Sequence, residues 1–365
     1  MFPANELGRR RAASSPRGPG TDPPANRDAD SGASAEEVLP SDVREVDAVV
    51  VGGGAAGLAA ATWIARYRRS VVVVDSSEHR NDAVEISHGY LGRDPQKPAD
   101  LLARGREELL AYPNAALRLA RVTALRREDD GLFRVQLDDG RGDIVAHRAL
   151  LATGVVDVKP DIVGMQEHYG ASVFHCPACD GYEARDRHVV ALGWDAHLAG
   201  FAATLLNWAC SVTVVTGGIA YGGDDACRAL LDRHSITVIE ERVTELVGSR
   251  GDLQAVRLAD GRELPCSLVL FSVAHEPRVD LAVSLGCELD EDGYVVVDGR
   301  GQTTVPGVYA AGDLVPGIQL TQVAAAKGTV AGVGLATSMF GEAGAPTSVD
   351  PAPDAEAELR DLAGR

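Results

Sequence analysis

The sequence of 365 residues predicts an α/β fold built from two doubly wound, Rossmann-like dinucleotide-binding modules. Three observations carry that expectation. Short, nearly unbroken apolar runs rich in valine alternate with longer segments of helical periodicity, the pattern of parallel strands covered by helices on both faces. A glycine-rich turn joins the first such run to the first helix. The strand–turn–helix scheme then begins afresh at residue 188, after the first set is complete.

In chain order, "VDAVVVG" reads as a buried strand, "AAGLAAATWIARYRR" as its helix, "SVVVVD" as the second strand and "PADLLARGREELLAY" as an amphipathic helix. The alternating runs "LFRVQLDD" and "DIVAHRALLATG" predict an antiparallel set. The second scheme runs through strand "HVVALG", helix "HLAGFAATLLNWA", strand "SVTVVTG", helix "DDACRALLDRH" and strand "ITVIE". Late in the chain "GVYAAG" predicts one more strand, with a helix starting near Gln319. Residues 1–44 are rich in Arg, Pro, Ser, Asp and Gly without apolar period and read as a disordered extension. Residues 342–365 read as a second tail, with a short helix near Ala355–Leu362.

Composition narrows the function. At 45% hydrophobic and 24% charged, with 40 glycines, the chain reads as a soluble globular protein of about two domains. A formal charge of −18 disfavours nucleic acid or an anionic membrane as partner, because phosphates would be repelled. "GRRRAASSPRGPG" lacks the apolar core of a secretory signal. The longest uncharged run, Ala48–Ala65, is interrupted by Gly52, Gly53 and Gly54, and a strand–turn–helix explains it better than a membrane span. Cys210, Cys227, Cys266 and Cys287 are scattered and read as free thiols of a cytoplasmic protein.

The first turn, "VVVGGGAAGLAAA", places Gly52, Gly54 and Gly57 in GxGxxG spacing. The first glycine permits the tight turn, the second lets backbone approach a pyrophosphate, and the third lets helix and strand pack closely. The helix N-terminus offers free N–H groups to the phosphates. Asp75 ends the next strand, 18 residues after Gly57, where an acidic residue binds ribose hydroxyls.

Cys176–Pro177–Ala178–Cys179 has the spacing of a dithiol–disulfide redox motif. One helical turn brings the two sulfurs within bonding reach, and a helix N-terminus favours the first thiolate. A zinc half-site is the rival reading, but no second C-x-x-C or H-x-x-x-H completes four ligands, so no metal is expected. An inert buried pair ranks last. Asp180 could move a proton to and from a thiolate, or serve as a cap or surface charge. His175 and His88 are weaker candidates for the same task.

The order of GxGxxG, acidic residue, "LLATG" (Leu150–Gly154), C-x-x-C-D, a second βαβ unit and "PGVYAAGD" resembles the low-molecular-weight thioredoxin reductase family over residues 46–341. The resemblance implies an FAD domain in two segments, 45–158 and 276–341, with a smaller NADPH-like domain at 159–275 inserted between them and carrying the cysteines. It implies a homodimer. It places Gly312 and Asp313 at the flavin, the aspartate on the ribitol, and Gln322 and Val323 beside the ring. Thr321 stands where an arginine is usual. Cys179 would face the flavin and Cys176 would exchange with substrate.

The second nucleotide turn departs from that family. Its pattern there is GxGxxA, followed by an arginine pair for the 2′-phosphate of NADPH. Here the turn is Gly193–Trp194–Asp195–Ala196–His197–Leu198, and Thr216, Gly217 and Gly218 follow the next strand. A carboxylate facing phosphates about 4 Å away costs on the order of 1–4 kcal/mol. These changes argue against tight binding of NADPH in the usual pose. Together with "FHCPACDGYEARD" and "HRNDAVEISHGYLG", they resemble a subgroup, the dithiol oxidases of gliotoxin and holomycin type. That resemblance implies oxidation of a dithiol through the cysteine pair, with electrons passing to FAD and then to O2. The alternatives are a thioredoxin-disulfide reductase fed by NADPH or ferredoxin, with a thioredoxin-like protein as partner, and a flavin-bound redox sensor with negligible turnover.

Overall fold

The computed structural model describes residues 45–272 and 275–341. The expectations for 1–44 and 342–365, including the helix near Ala355–Leu362, lie outside the described residues. The first set of elements is β1 (Glu45–Val51), α1 (Ala55–Arg66), β2 (Val71–Asp75), α2 (Pro98–Leu110), β3 (Ala115–Leu119), β4 (Val122–Arg127), β5 (Phe133–Leu137), β6 (Ile144–Leu151) and β7 (Val155–Asp157). The second is α3 (Met165–His168), β8 (Val173–Phe174), α4 (Pro177–Asp180), β9 (His188–Leu192), α5 (His197–Leu205), β10 (Ser211–Val215), α6 (Asp225–Arg233) and β11 (Thr237–Ile239). It continues through β12 (Val243–Ser249), β13 (Asp252–Leu258), β14 (Glu263–Pro265) and β15 (Leu268–Phe271). The chain then returns through β16 (His275–Pro277), α7 (Asp280–Ser284), β17 (Val308–Ala310) and α8 (Thr321–Ser338).

The larger sheet has the order β3-β2-β1-β6-β5-β4, and it forks at β6. The first half of β6 pairs antiparallel with β5 (Ala146 opposite Phe133), and its second half pairs parallel with β17 (Leu150 opposite Tyr309). Thus, among the described residues, the last strand completes the sheet that β1 begins. All of β2 and all but the first residue of β1 are buried, as their unbroken valine runs require once both faces are covered. Helices α1 and α8 pack on one face through Ala56, Ala60, Ala331, Leu335 and Met339. Phe133, Leu125, Ile144 and Leu314 fill the other face.

The second sheet, β11-β10-β9-β15-β8, is parallel throughout. Leu198, Leu205 and Tyr221 cover one face; Met165, Val256 and Phe271 cover the other. The molecule is therefore the expected pair of Rossmann-like modules, one inserted in the other. The antiparallel set at β4–β6 matches the sequence pattern.

Element ends differ in detail. Helix α1 stops at Arg66 rather than Arg69 because Arg68 adopts a left-handed φ of 62°. Helix α5 ends at Leu205, and α8 begins at Thr321, two residues beyond Gln319. The antiparallel β12-β13-β14 sheet was not anticipated. Its strands are bulged and half exposed, so their alternation is broken.

Candidate active site

The site is built from the ends of strands. Gly52, past the end of β1, has φ of 108°, and a Cβ there would fall 2.3 Å from the Ala152 carbonyl oxygen. A Cβ on Gly57 would lie 1.8 Å from the Gly52 oxygen, so α1 meets the turn only because position 57 is bare. Gly54 is different: nothing lies within 4 Å of a Cβ built on it, and it faces an open cleft. No side chain caps α1, so its first amides are free for an incoming anion.

Asp75 is buried at the end of β2. It accepts bonds from Ser77 N (3.0 Å) and Arg106 Nη2 (2.7 Å) and lies 3.3 Å from His79 Nε2. Burial alone would raise its pKa, but His79, the Ser77 amide and Arg106 outweigh it and hold the carboxyl at about 2. Sequence reasoning missed Gly53, where a Cβ would sit 2.3 Å from Asp75 Oδ2. The signal was the middle glycine of the GGG run.

Cys176 and Cys179 form a disulfide, with Cα atoms 5.3 Å apart, across the single turn of α4. The Cys179 amide donates to Cys176 Sγ at 3.1 Å. Among the described residues no cluster of three His, Cys, Asp or Glu is placed to hold a metal. Burial pushes the Asp180 carboxyl up to about 7, helped by the charge of Glu183 and opposed by His88. His88 Nδ1 lies 2.8 Å from Asp94 Oδ1, and its Nε2 lies 3.6 Å from Glu183 Oε1. His175 is pushed down to about 4, first by burial, against the pull of Asp157 and with the push of Arg80.

One cleft of about 1250 Å³ is lined by Gly52, Gly54, Asp75, Cys176, Cys179, Asp180, Gly312, Asp313, Gln322 and Val323. Gly57 lies behind it. Residues from both modules and both halves of the larger sheet therefore meet there. The Gln322 side-chain oxygen accepts from Leu91 N at 2.8 Å and fastens the 81–96 segment over the start of α8. Arg250, from the inserted module, holds the same segment through Glu85 (2.9 Å) and the Ala83 carbonyl (2.7 Å).

Sequence reasoning also missed Arg80. Its guanidinium bonds Asp157 through Nε and Nη2, Asp313 Oδ2 at 3.0 Å and Gln319 Oε1 at 2.7 Å through Nη1, and lies 3.2 Å from His175 Nε2. The residue falls in no motif, although it sits inside the quoted stretch "HRNDAVEISHGYLG". The other oxygen of Asp313, Oδ1, is buried with no partner. An uncapped helix N-terminus, an ionised carboxylate at the end of β2 and an orphaned acceptor at Asp313 suit pyrophosphate, ribose and ribitol hydroxyl in turn. The residues fit FAD.

The second turn has the same local fold and different contents. Asp195 Oδ1 accepts from His197 N at 2.9 Å, so the chain's own carboxylate sits at the first amide of α5. Gly222 N donates to the Trp194 carbonyl at 3.0 Å, bringing the loop after β10 back onto the turn. Leu198 is fully buried in the module core. Of the remaining cysteines, Cys266 and Cys287 are buried, and burial pushes the Cys266 thiol up to about 12. No helix among the described residues is long and apolar enough to cross a membrane.

Comparison with known proteins agrees with this geometry. The thioredoxin reductase tcpT of Claviceps purpurea is 31% identical over 317 residues, spanning 84% of this chain and 98% of the relative. The thioredoxin reductase aclD of Aspergillus oryzae is 31% identical over 308 residues, spanning 80% and 96%. Among solved structures, HlmI superposes with a TM-score of 0.77 at 34% identity, covering 88% of this chain and 97% of that one. An oxidoreductase from Agrobacterium tumefaciens gives 0.74 at 31%, covering 82% and 100%. The family model described as pyridine nucleotide-disulphide oxidoreductase matches residues 46–328. The chain belongs to that family and is a thioredoxin reductase-like, FAD-dependent oxidoreductase acting on sulfur groups.

Proposed function

We propose that this protein oxidises a small dithiol to a disulfide through Cys176–Cys179, with FAD as the immediate acceptor and O2 as the final one. One observation carries the reading: the disulfide opens into the same cleft as the Gly52–Gly54 turn and Asp313, while Asp195 occupies the amide end of the second turn. Residues 45–158 and 276–341 hold the flavin in this reading, and 159–275 carry the cysteines. Gly52, Gly54 and the amides of α1 take the pyrophosphate, Gly57 allows their approach, and Asp75 takes the ribose. Gly312 and Asp313 take the ribitol; Gln322 and Val323 flank the ring. The working form is a cytoplasmic homodimer.

A substrate thiolate attacks Cys176 Sγ, the Cys176–Cys179 bond breaks, and Cys179 leaves as a thiolate. The second substrate thiol gives its proton to Asp180 and attacks the substrate sulfur of the mixed disulfide. Cys176 leaves as a thiolate stabilised by the Cys179 amide, and the substrate departs as a disulfide. A carboxyl near pH 7 is matched to that transfer, ionised often enough to accept and weak enough as a base to release. FAD, when bound, supplies the two-electron sink that returns the pair to the disulfide and delivers the electrons to O2.

Purified protein mixed with dithiothreitol in air, without NADPH, should consume O2 and form peroxide and oxidised dithiothreitol, and Cys179→Ser should do neither. No O2 uptake by the parent protein defeats the reading. The names of the relatives favour a second reading, reduction of a thioredoxin-like protein, for which NADPH or ferredoxin would be the donor. Anaerobic bleaching of the flavin by micromolar NADPH would select it.

A further inference from the structure

Arg80 lies beyond β2 in a stretch without helix or strand, yet it touches both modules. A guanidinium has donors only. His175 Nε2, 3.2 Å away, must therefore accept, which places the imidazole proton on Nδ1, 3.2 Å from the Tyr169 oxygen. The Tyr169 hydroxyl donates to Asp157 Oδ2 at 3.1 Å, and Asp157 takes both Nε and Nη2 of Arg80. The four residues close a ring in which every donor has an acceptor. The imidazole is also held from the sides. Tyr169 stacks on it at 6.2 Å and Phe271 packs against it at 6.0 Å. His175 is the residue before Cys176, and the remaining Arg80 nitrogen reaches Asp313 at 3.0 Å.

We propose that Arg80 is a positioning residue that keeps the Cys176–Cys179 disulfide in register with the cofactor carboxylate Asp313, acting through this ring. It touches neither sulfur. Its effect is to fix the backbone one residue from the attacked sulfur relative to the group that orients the flavin chain. An error of about 1 Å in such a placement can cost on the order of 100-fold in rate. The inference rests on the function proposed above.

Two rates separate placement from collapse of the fold. Under anaerobic dithiothreitol, opening of the disulfide is followed by alkylation and mass spectrometry, and flavin reduction by loss of visible absorbance. In Arg80→Ala holoprotein with full FAD content, the disulfide should open at the parent rate while flavin reduction slows about 10- to 100-fold. Arg80→Lys should fall between, because an ammonium can pair with Asp157 but cannot span Asp313 and His175 together. Should Arg80→Ala shed FAD, Tyr169→Phe, which leaves the Asp313 bond intact, carries the same comparison. Equal slowing of both rates, or slowing of neither, overturns the proposal.

The ring has its own test in thermal melting of Arg80→Ala, Tyr169→Phe and the double variant. The double loss in Tm should be smaller than the sum of the single losses, and additive losses overturn the ring. Flavin in the parent protein that dithiothreitol does not bleach defeats the proposed reaction instead, and the melting cycle still decides whether the ring exists.

Discussion

The turn after β1 and the turn after β9 are the same piece of architecture with opposite contents. Each joins a buried parallel strand to a helix. At the first, Gly52, Gly54 and Gly57 leave bare backbone, an uncapped helix and open space. At the second, the matching positions are Gly193, Asp195 and Leu198, and a carboxylate already sits on the helix amide. The difference teaches which glycine serves the fold and which serves the ligand. Gly193 is kept, because a Cβ there would fall 2.7 Å from the Ser272 oxygen. The other two positions carry side chains instead, Asp195 at the first amide of α5 and Leu198 in the module core.

The hardest way to break this comparison is to move the second turn's chemistry into the first. Gly54→Asp points a carboxylate into empty space, so the fold should survive, while FAD affinity falls by up to roughly 1000-fold. Flavin absorbance per mole of purified protein reads the outcome; unchanged content would mean the turn is not the phosphate site.

Next in size is the cysteine segment, which in the proposed reaction is the inserted module's contribution to the cleft. Asp180→Asn should lower kcat/KM for dithiothreitol oxidation by about 100-fold near neutral pH. In the parent, kcat/KM should rise as pH climbs through about 7, where Asp180 ionises and can accept a proton; in the variant that limb should vanish. The same carboxyl shapes stability. Its pKa is raised in the fold, so between about pH 4 and 7 the folded state holds a proton that the unfolded state lacks. Its contribution to stability therefore declines as pH rises through that window, opposite in sign to that of His175, whose lowered pKa adds stability as pH rises from about 4. Asp180→Asn should remove the decline and be more stable above pH 7, by on the order of 2–4 kcal/mol in urea titrations.

The smallest effect sharpens the comparison from the other side. Asp195→Gly should improve NADPH binding by less than about tenfold. Thr216, Gly217 and Gly218 supply no guanidinium, and the loop through Gly222 still lies against Trp194. Equilibrium dialysis with NADPH measures it, and micromolar affinity in the single variant would show that Asp195 alone barred the coenzyme.

Much of the site was legible because its parts have local signatures. Glycine spacing, a strand-terminal acid and C-x-x-C each follow from chemistry within a few residues. Legible too were the parallel strands of both sheets, which are apolar on two faces. What stayed hidden was assembled from afar. Arg80 meets Asp157, His175 and Asp313 only after β2, β7, the inserted module and the return of the chain at β17 are all in place, and no spacing in the sequence encodes that meeting. Gly53 was passed over because its reason lies in a side chain at the end of another strand. The β12–β14 sheet escaped because one of its faces is wet and its register is bulged.

Two cysteines outside the cleft's lining bear on the enzyme's durability. The proposed reaction releases peroxide, an oxidant that attacks thiolates and largely spares thiols. Cys266, sealed in the inserted module with its ionisation deferred to about 12, offers almost no thiolate at neutral pH, and Cys287 is likewise shielded by burial. Exposed Cys210 is where oxidative wear should register first, as sulfenic and then sulfinic acid, well before either buried sulfur is touched.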